Sequence, residues 1–169
     1  MLIKLLDSED EIKSFDCGDA DLNDFLLHDA KLFSEKRIAN TYIVENEGDI
    51  IAYFSLLNDK VSRSELSNSS WKRLKKHFPR SKHFSSYPSV KVGRFAVDVK
   101  CEGQGLGRYL MTEIKNILVK KSASAFRFLT VDAYLSAVPF YEKNGFKMLV
   151  GADSDRHTRA MYFDLMDVE

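Results

Sequence analysis

Cysteine, proline and long apolar runs are scarce in this 169-residue chain, which contains two cysteines and three prolines. Cys17 and Cys101 lie far apart and form no C-x-x-C pair, so we expect neither a disulfide framework nor a zinc site, as is usual in a reducing cytoplasm. No stretch approaches the roughly 20 apolar residues of a membrane-spanning helix. The N-terminal apolar run is shorter than a signal-peptide core and acidic residues follow it at once. We therefore expect a cytoplasmic protein without a membrane segment or a metal.

Net charge is also absent, because 25 Lys and Arg residues balance 25 Asp and Glu residues. Two local biases remain: residues 1–29 are mainly acidic in their charges, and residues 71–82 (WKRLKKHFPRSK) are basic without any acidic residue. The apolar fraction of 44% is ordinary for a globular protein and argues against disorder. A chain of this length is most simply one domain, which we expect to span residues 1–169.

The hydrophobic pattern predicts alternating strands and helices. Strand-like segments occupy residues 3–6, 40–46, 49–58, 89–99 and 125–133, whereas helical spacing follows Ala20 and covers residues 64–78, 106–118 and 136–146. Pro79 and Pro88 are expected to bound an irregular segment, and residues 147–151 and 159–166 to form a closing antiparallel pair. This mixed order predicts one sheet with helices packed on its faces.

Three glycines at alternate positions, Gly103, Gly105 and Gly107, separate a predicted strand from a predicted helix. Their spacing matches neither the Walker loop nor the dinucleotide fingerprint G-x-G-x-x-G. The first N–H groups of a helix lack backbone partners and carry the positive end of its dipole, and glycines would let a diphosphate approach them closely. Taken alone, the segment fits a phosphate site and an ordinary strand–helix turn equally well.

A second segment, AVPFYEKNGF, follows about thirty residues after the stretch GRFAVDVKCEGQGLGRYLM. Together the two resemble the GNAT superfamily of N-acetyltransferases. That family's pyrophosphate loop, [Q/R]-x-x-G-x-[G/A], falls on residues 102–107, with Glu102 in place of Gln or Arg. Its downstream pattern, N-x-x-A-x-x-x-Y-x-x-x-G-F, matches at Ala137, Tyr141, Gly145 and Phe146, with Tyr134 in place of Asn.

The resemblance implies an α/β (α+β) fold: a three-layer α-β-α sandwich around a mixed, mostly antiparallel sheet of six to seven strands, with helices on both faces. It implies acetyl-CoA as cosubstrate and no metal. The residues that it assigns to cofactor binding come from the strand end, the glycine loop and the downstream segment: Phe95, Ala96, Val97, Glu102, Gly103, Gln104, Gly105, Leu106, Gly107, Arg108, Tyr134 and Ser136.

The resemblance also implies direct attack of a primary amine on the thioester in a ternary complex. The backbone N–H of Val97 would polarise the thioester carbonyl, and Tyr141 would donate a proton to the departing thiolate. The alternative for Tyr141, a half-buried side chain that only packs beside Phe140, stays open. No general base is evident, and His157 and Glu142 are the weak candidates.

Residues 15–30, FDCGDADLNDFLLHDA, resemble the opening of GNAT toxins that pair with ribbon-helix-helix antitoxins and acetylate aminoacyl-tRNA. This branch implies an aminoacyl-tRNA acceptor and an antitoxin partner. The acidic side chains of this segment, Asp16, Asp19, Asp21 and Asp24, argue against RNA binding. A small amine or a protein as acceptor, a homodimer, and a non-catalytic acyl-CoA sensor therefore stay open as alternatives.

The basic run at residues 71–82 has two interpretations. It would offer the toxin branch an RNA-facing surface, with Trp71 and His77 lying among its charges. The alternative is a solvated helix face, which is the commoner meaning of a charge run. The positive side chains of this surface would be Lys72, Arg73, Lys75, Lys76, Arg80 and Lys82.

Overall fold

A computed structural model describes residues 1–75, 84–120, 124–149 and 156–168. The strands are β1 Leu2–Leu5, β2 Asn40–Asn46, β3 Asp49–Ser62, β4 Ser86–Val97, β5 Phe128–Tyr134, β6 Lys147–Met148 and β7 Thr158–Asp164. The α-helices are α1 Ala20–Asp24, α2 Ala30–Glu35, α3 Asn68–Lys75, α4 Leu106–Lys120 and α5 Val138–Lys143, and a π-helical turn, Phe25–Asp29, joins α1 to α2.

The seven strands of the described ranges form one mixed sheet in the order β1-β2-β3-β4-β5-β7-β6. This architecture confirms the predicted fold class and strand number. None of the helices in these ranges is long and apolar enough to cross a membrane. The chain resolves into two compact units, the first made of residues 1–57 and 92–113 and the second of residues 58–91 and 114–169. One domain over residues 1–169 stays a prediction.

The first unit is a small three-layer sandwich in its own right. Strand β2 pairs antiparallel with both β1 and β3, and neighbouring side chains along each strand point to opposite faces. On one face, Ile43 and Tyr53 pack under buried side chains of the π-helical turn and α2, with the partly buried Leu22 of α1 beside them. On the other face, Val44 and Ala52 pack against Leu110 of α4.

The predicted helix after Ala20 is present, but its middle is wider than an α-helix. The Asp19 carboxylate accepts the Leu22 N–H (3.1 Å) and caps the start of α1. The N–H of Ala30 then bonds to the carbonyl of Phe25, the spacing of a π-turn. The Tyr53 hydroxyl donates to the Leu22 carbonyl (2.7 Å), so the buried strand holds this helix directly.

The second unit contains the closing strands. Strand β7 pairs antiparallel with β5 and with β6, which confirms the predicted C-terminal pair. Pro88 does not bound an irregular segment: it lies inside β4, which begins at Ser86, and its carbonyl accepts the Arg127 N–H (2.9 Å). Proline removes only the donor of a residue, so this acceptor remains available for pairing.

Trp71 is buried, so it does not belong to the RNA-facing surface that was one of the two interpretations of the basic run. Its side chain is 1% exposed and packs in the core of the second unit with Tyr87, at a ring-centroid distance of 5.5 Å. Lys72 beside it is exposed. The side chains of Arg73 and Lys75, and the whole of residues 76–83 with His77, Arg80 and Lys82, lie outside the described residues.

Candidate active site

The glycine loop connects the end of β4 to the start of α4 through a short 3-10 turn, Val99–Cys101. Gly103 and Gly105 adopt φ angles of +72° and +81°, which are left-handed conformations that side chains with a Cβ disfavour. A Cβ added at either position would meet nothing within 4 Å. The glycines are therefore required by the backbone conformation, and the space in front of them is open.

The start of α4 fits an anion. The first hydrogen bond of the helix runs from the Tyr109 N–H to the Gly105 carbonyl (3.1 Å), so the N–H groups of the preceding turn have no partner within the helix. The exposed side chains of Lys100 and Arg108 add positive charge on either side of the loop. Together these features suit the diphosphate of acetyl-CoA.

An open pocket of about 350 Å³ lies beside this helix start. Its lining residues come from the N-terminus, the β2–β3 hairpin, the turn and loop after β4, and α4: Met1, Asn46, Ile51, Cys101, Gln104, Gly105, Leu106 and Tyr109. Glu102 is exposed and does not line this pocket, and its N–H donates to the Val99 carbonyl (3.3 Å). The acid that replaces the usual Gln or Arg is thus not among the residues that line this pocket.

Asp98 is a functional candidate that the sequence motifs did not single out. Its buried carboxylate accepts the N–H of Lys100 (2.9 Å) and the N–H of Asp16 (3.3 Å). The Val99 N–H also donates to the Asp16 carbonyl (2.9 Å). These bonds join the turn before the glycine loop to the segment that precedes α1. The only signal in the sequence is an acidic residue at the end of a strand, which is too common to be diagnostic.

Replacing Asp98 with Ala is expected to lower the free energy of unfolding by about 1–2 kcal/mol, because two backbone N–H groups lose a capping carboxylate. Urea denaturation measures the change. Asp24→Ala is the control, since Asp24 is exposed and forms only a 3.6 Å surface pair with His28. Equal effects of the two substitutions would contradict an anchoring role for Asp98.

At the end of β4, successive backbone N–H groups point to opposite edges of the strand, and successive side chains point to opposite faces of the sheet. The Asp98 N–H donates to the Ile51 carbonyl of β3 (2.9 Å). Because successive N–H groups of a strand point in opposite directions, the Val97 N–H points away from β3. The Ala96 side chain lies in the core beneath α1 and the π-helical turn, whereas Phe95 and Val97 face the core beside α4. This orientation is compatible with the predicted role of the Val97 N–H.

Tyr141 lies in α5, in the second unit, and is 6% exposed. Its ring makes edge-to-face contacts with Phe140 (5.1 Å between centroids) and Phe146 (5.3 Å). Burial raises the pKa of the phenol, so it stays protonated near neutral pH and can act as a donor. Within the described ranges its hydroxyl has no hydrogen-bond partner. Packing beside Phe140 and proton donation are therefore compatible with one another.

The turn after Tyr141 depends on a glycine. Gly145 has a φ of +82°, and a Cβ there would lie 3.0 Å from the Phe163 ring. The Phe146 N–H then bonds to the Tyr141 carbonyl (3.0 Å), which places the Phe146 ring on the tyrosine. The matched pattern of Tyr, Gly and Phe thus describes one compact local structure.

The remaining predicted residues also lie in the second unit. Tyr134 ends β5, and Ser136 follows in a 3-10 turn, Leu135–Ala137; both are exposed. His157 and Glu142, the weak candidates for the base, are exposed too. The predicted residues therefore form two sets, Phe95 to Arg108 in the first unit and Tyr134 to Tyr141 in the second. Among the described residues, no group of three or more His, Cys, Asp or Glu side chains is arranged to hold a metal ion.

Residues 83–161, which include the glycine loop and Tyr141, match the family model described as the acetyltransferase (GNAT) domain. This chain carries a GNAT acetyltransferase domain. The family predicted from the two motifs is confirmed. The GNAT domain also resembles a curated relative, the "tRNA-acetylating toxin" of Mycobacterium tuberculosis (strain ATCC 25618 / H37Rv), with 23% identity over 104 residues. That match covers 62% of this chain and 57% of the relative, so it spans little more than half the relative's length.

Solved structures resemble the chain over nearly its whole length. AtaT complexed with acetyl-methionyl-tRNAfMet is 27% identical, with a TM-score of 0.79, and the match covers 99% of this chain and 96% of that one. AtaTR bound with AcCoA is 27% identical, with a TM-score of 0.77, over 99% and 95%. A Tyr-to-Phe mutant of KacT, at 24% identity and a TM-score of 0.79 over 99% and 96%, shares the fold.

Proposed function

We propose that this GNAT protein transfers an acetyl group from acetyl-CoA to the amino group of an aminoacyl-tRNA, as the toxin of a toxin–antitoxin pair. The observation that carries the proposal is the likeness, over 99% of the chain, to AtaT complexed with acetyl-methionyl-tRNAfMet and to AtaTR bound with AcCoA. The resemblance of residues 15–30 to the same toxin branch supports it independently of the glycine loop.

The residues of the first unit would bind and polarise the donor. Acetyl-CoA supplies the acetyl group as a thioester. The backbone N–H groups from Gly103 to Arg108 hold its diphosphate, and the open space before Gly103 and Gly105 admits it. The Val97 N–H, directed away from β3, donates to the thioester carbonyl as negative charge develops on the oxygen.

Tyr141 completes the transfer. The amine forms the new C–N bond, the C–S bond breaks, and the electron pair of that bond leaves with the sulfur. The Tyr141 hydroxyl, kept protonated by burial, donates its proton to the sulfur, and the proton that the amine loses restores the phenol through solvent. No covalent bond to the protein is required.

The acidic side chains of residues 15–30 remain an electrostatic argument against an RNA acceptor. Asp16 accepts hydrogen bonds from the Gly18 N–H (2.8 Å) and the Asn23 amide (2.9 Å), which hold its pKa below the usual range. Asp19 caps α1. Asp21 lies 3.8 Å from the Arg94 guanidinium, and Asp24 lies 3.6 Å from His28. Hydrogen bonds from neutral N–H groups leave the charges of Asp16 and Asp19 in place, and among these four carboxylates Asp21 is the one that pairs with a permanent cation in the described ranges.

Acetyl transfer from radiolabelled acetyl-CoA tests the acceptor. The expected result is label in charged tRNA and none in deacylated tRNA, because only the charged form carries an α-amino group. Polyamines and short peptides are measured in parallel. Label in those amines without label in charged tRNA would contradict the tRNA proposal, and acetyl-CoA binding without transfer to any amine would support a sensor instead.

An antitoxin partner is part of the same proposal. A Tyr-to-Phe mutant of AtaT, bound to the C-terminus of the antitoxin AtaR and to acetyl-CoA, is 26% identical to this chain, with a TM-score of 0.75. We expect a small ribbon-helix-helix protein encoded beside this chain to co-purify with it and to suppress acetyl transfer. Co-expression followed by size-exclusion chromatography measures the complex, and transfer that continues at full rate in the complex would contradict an antitoxin role.

A further inference from the structure

Lys115 is a cation in an unusual place. It lies on α4, in the second unit, with its Nζ 3.7 Å from the centre of the Phe163 ring and 5.5 Å from that of Phe146. Burial lowers the pKa of its ammonium to about 8, so most of it is still charged at neutral pH. Among the described residues, no carboxylate pairs with it. Such a half-buried charge is costly, which leaves its use to be explained.

The Lys115 ammonium donates a hydrogen bond to the Asn144 carbonyl at 2.6 Å. Asn144 directly follows α5, the helix of Tyr141, and is its C-cap residue. A lysine at this end of a helix satisfies a carbonyl that has no partner within the helix and complements the negative end of the dipole. The contact therefore holds the C-terminal end of α5 in place, and it comes from a residue 29 positions earlier in the chain.

Lys115 also contacts one of the two aromatic rings that pack against Tyr141. The Phe146 ring contacts the Tyr141 ring edge-to-face and lies beside the Lys115 ammonium. The Asn144 amide donates to the Phe140 carbonyl (2.8 Å), so the turn that Lys115 holds also fixes the other aromatic neighbour of Tyr141. Both rings that contact Tyr141 edge-to-face thus lie in residues 140–146, the segment that Lys115 binds through the Asn144 carbonyl.

We propose that Lys115 is a positioning residue for Tyr141, which holds the Asn144–Phe146 turn so that the phenol keeps one orientation. The expected effect on kcat rests on the proposed acetyl transfer. The fixed orientation of the Tyr141 ring does not depend on that function. The ammonium acts through the Asn144 carbonyl and the faces of Phe146 and Phe163 and does not touch the substrate. Because a misdirected acid slows the chemical step without weakening ground-state binding, the consequence falls on kcat rather than on KM.

Lys115→Met removes the charge and the donor but keeps the length and apolar character of the side chain. We expect kcat to fall roughly 10-fold, with the KM for acetyl-CoA little changed and the folded protein no less stable. Lys115→Arg, which retains a donor and a cation that stacks on rings, is expected to recover most of kcat. Lys120→Met is the matched control, since Lys120 is the exposed last residue of the same helix, and its kcat should equal that of the wild type.

A second measurement is independent of activity. In protein labelled with ¹³C-tyrosine, the Tyr141 ring signal is identified by its absence in Tyr141→Phe, and we expect Lys115→Met, but not Lys120→Met, to shift or broaden it. An unmoved Tyr141 signal overturns the proposal, as does a moved signal with wild-type kcat. If the wild type transfers acetyl to no acceptor, the proposed function fails, while the tyrosine signal still decides whether Lys115 holds Tyr141. Should Lys115→Met not fold, Lys115→Gln, which keeps a donor without the charge, is measured in the same way.

Discussion

Tyr141→Phe is expected to lower the rate of acetyl transfer by about 100-fold or more, which is the usual contribution of a positioned general acid. Phenylalanine keeps the edge-to-face contacts with Phe140 and Phe146, so the fold and the surrounding helix should not change. Only the proton that would reach the departing sulfur is lost. Because the backbone contacts to the diphosphate proposed for Gly103 to Arg108 remain, acetyl-CoA should still raise the melting temperature of the variant.

Tyr42→Phe provides the control for removing a phenol. Tyr42 stacks on Phe54 in the first unit, with ring centroids 5.1 Å apart, and has no predicted part in the site. Its loss should leave turnover unchanged. Steady-state kinetics with saturating acetyl-CoA compare the two variants. Wild-type turnover in Tyr141→Phe would remove the tyrosine from the mechanism and would leave it only the packing role beside Phe140.

Local patterns predicted much of the fold because local chemistry determines it. Strand β2 occupies the predicted residues 40–46, since β-branched residues end there at a turn. In that turn Glu47 and Gly48 both have positive φ. The position of the glycine loop is also predicted correctly, because glycines between a strand and a helix are a local signal. In the sequence its glycines indicate the close approach of a phosphate, and the φ angles of Gly103 and Gly105 add a requirement of the backbone itself.

Features that depend on distant parts of the chain could not be read from the sequence. The helical spacing of Leu66, Trp71 and Leu74 places them on one apolar side, but the residues from other strands and helices that bury Trp71 leave no signal in the sequence. The π-helical turn after α1 leaves no mark in the apolar spacing, which tolerates one extra residue. Lys115 looks like an ordinary polar position on an amphipathic helix, and its importance comes from the Asn144 carbonyl and two aromatic rings that lie far along the chain.

Gly105→Ala is expected to weaken acetyl-CoA binding by about 10-fold or more. The new methyl group would occupy the open space in front of the helix start, where the diphosphate approaches the backbone N–H groups. At a concentration 100 times the wild-type Kd, the ligand stabilises the wild type by about 2.7 kcal/mol. A 10-fold weaker variant would gain about half of that, so the ligand-induced rise in melting temperature should fall by about half.

The difficulty with this substitution is that alanine at a φ of +81° is also strained, which lowers stability by roughly 1–2 kcal/mol without any ligand. Gly48→Ala separates the two effects, because Gly48 has a φ of +90°, also faces open space, and lies in the β2–β3 turn. Both variants should lose similar stability in urea, but only Gly105→Ala should lose part of its response to acetyl-CoA. A full response in both would show that the glycine loop is needed only as a turn. An equal loss in both would assign the effect to strain, and in either case the diphosphate would have to bind elsewhere in the GNAT domain.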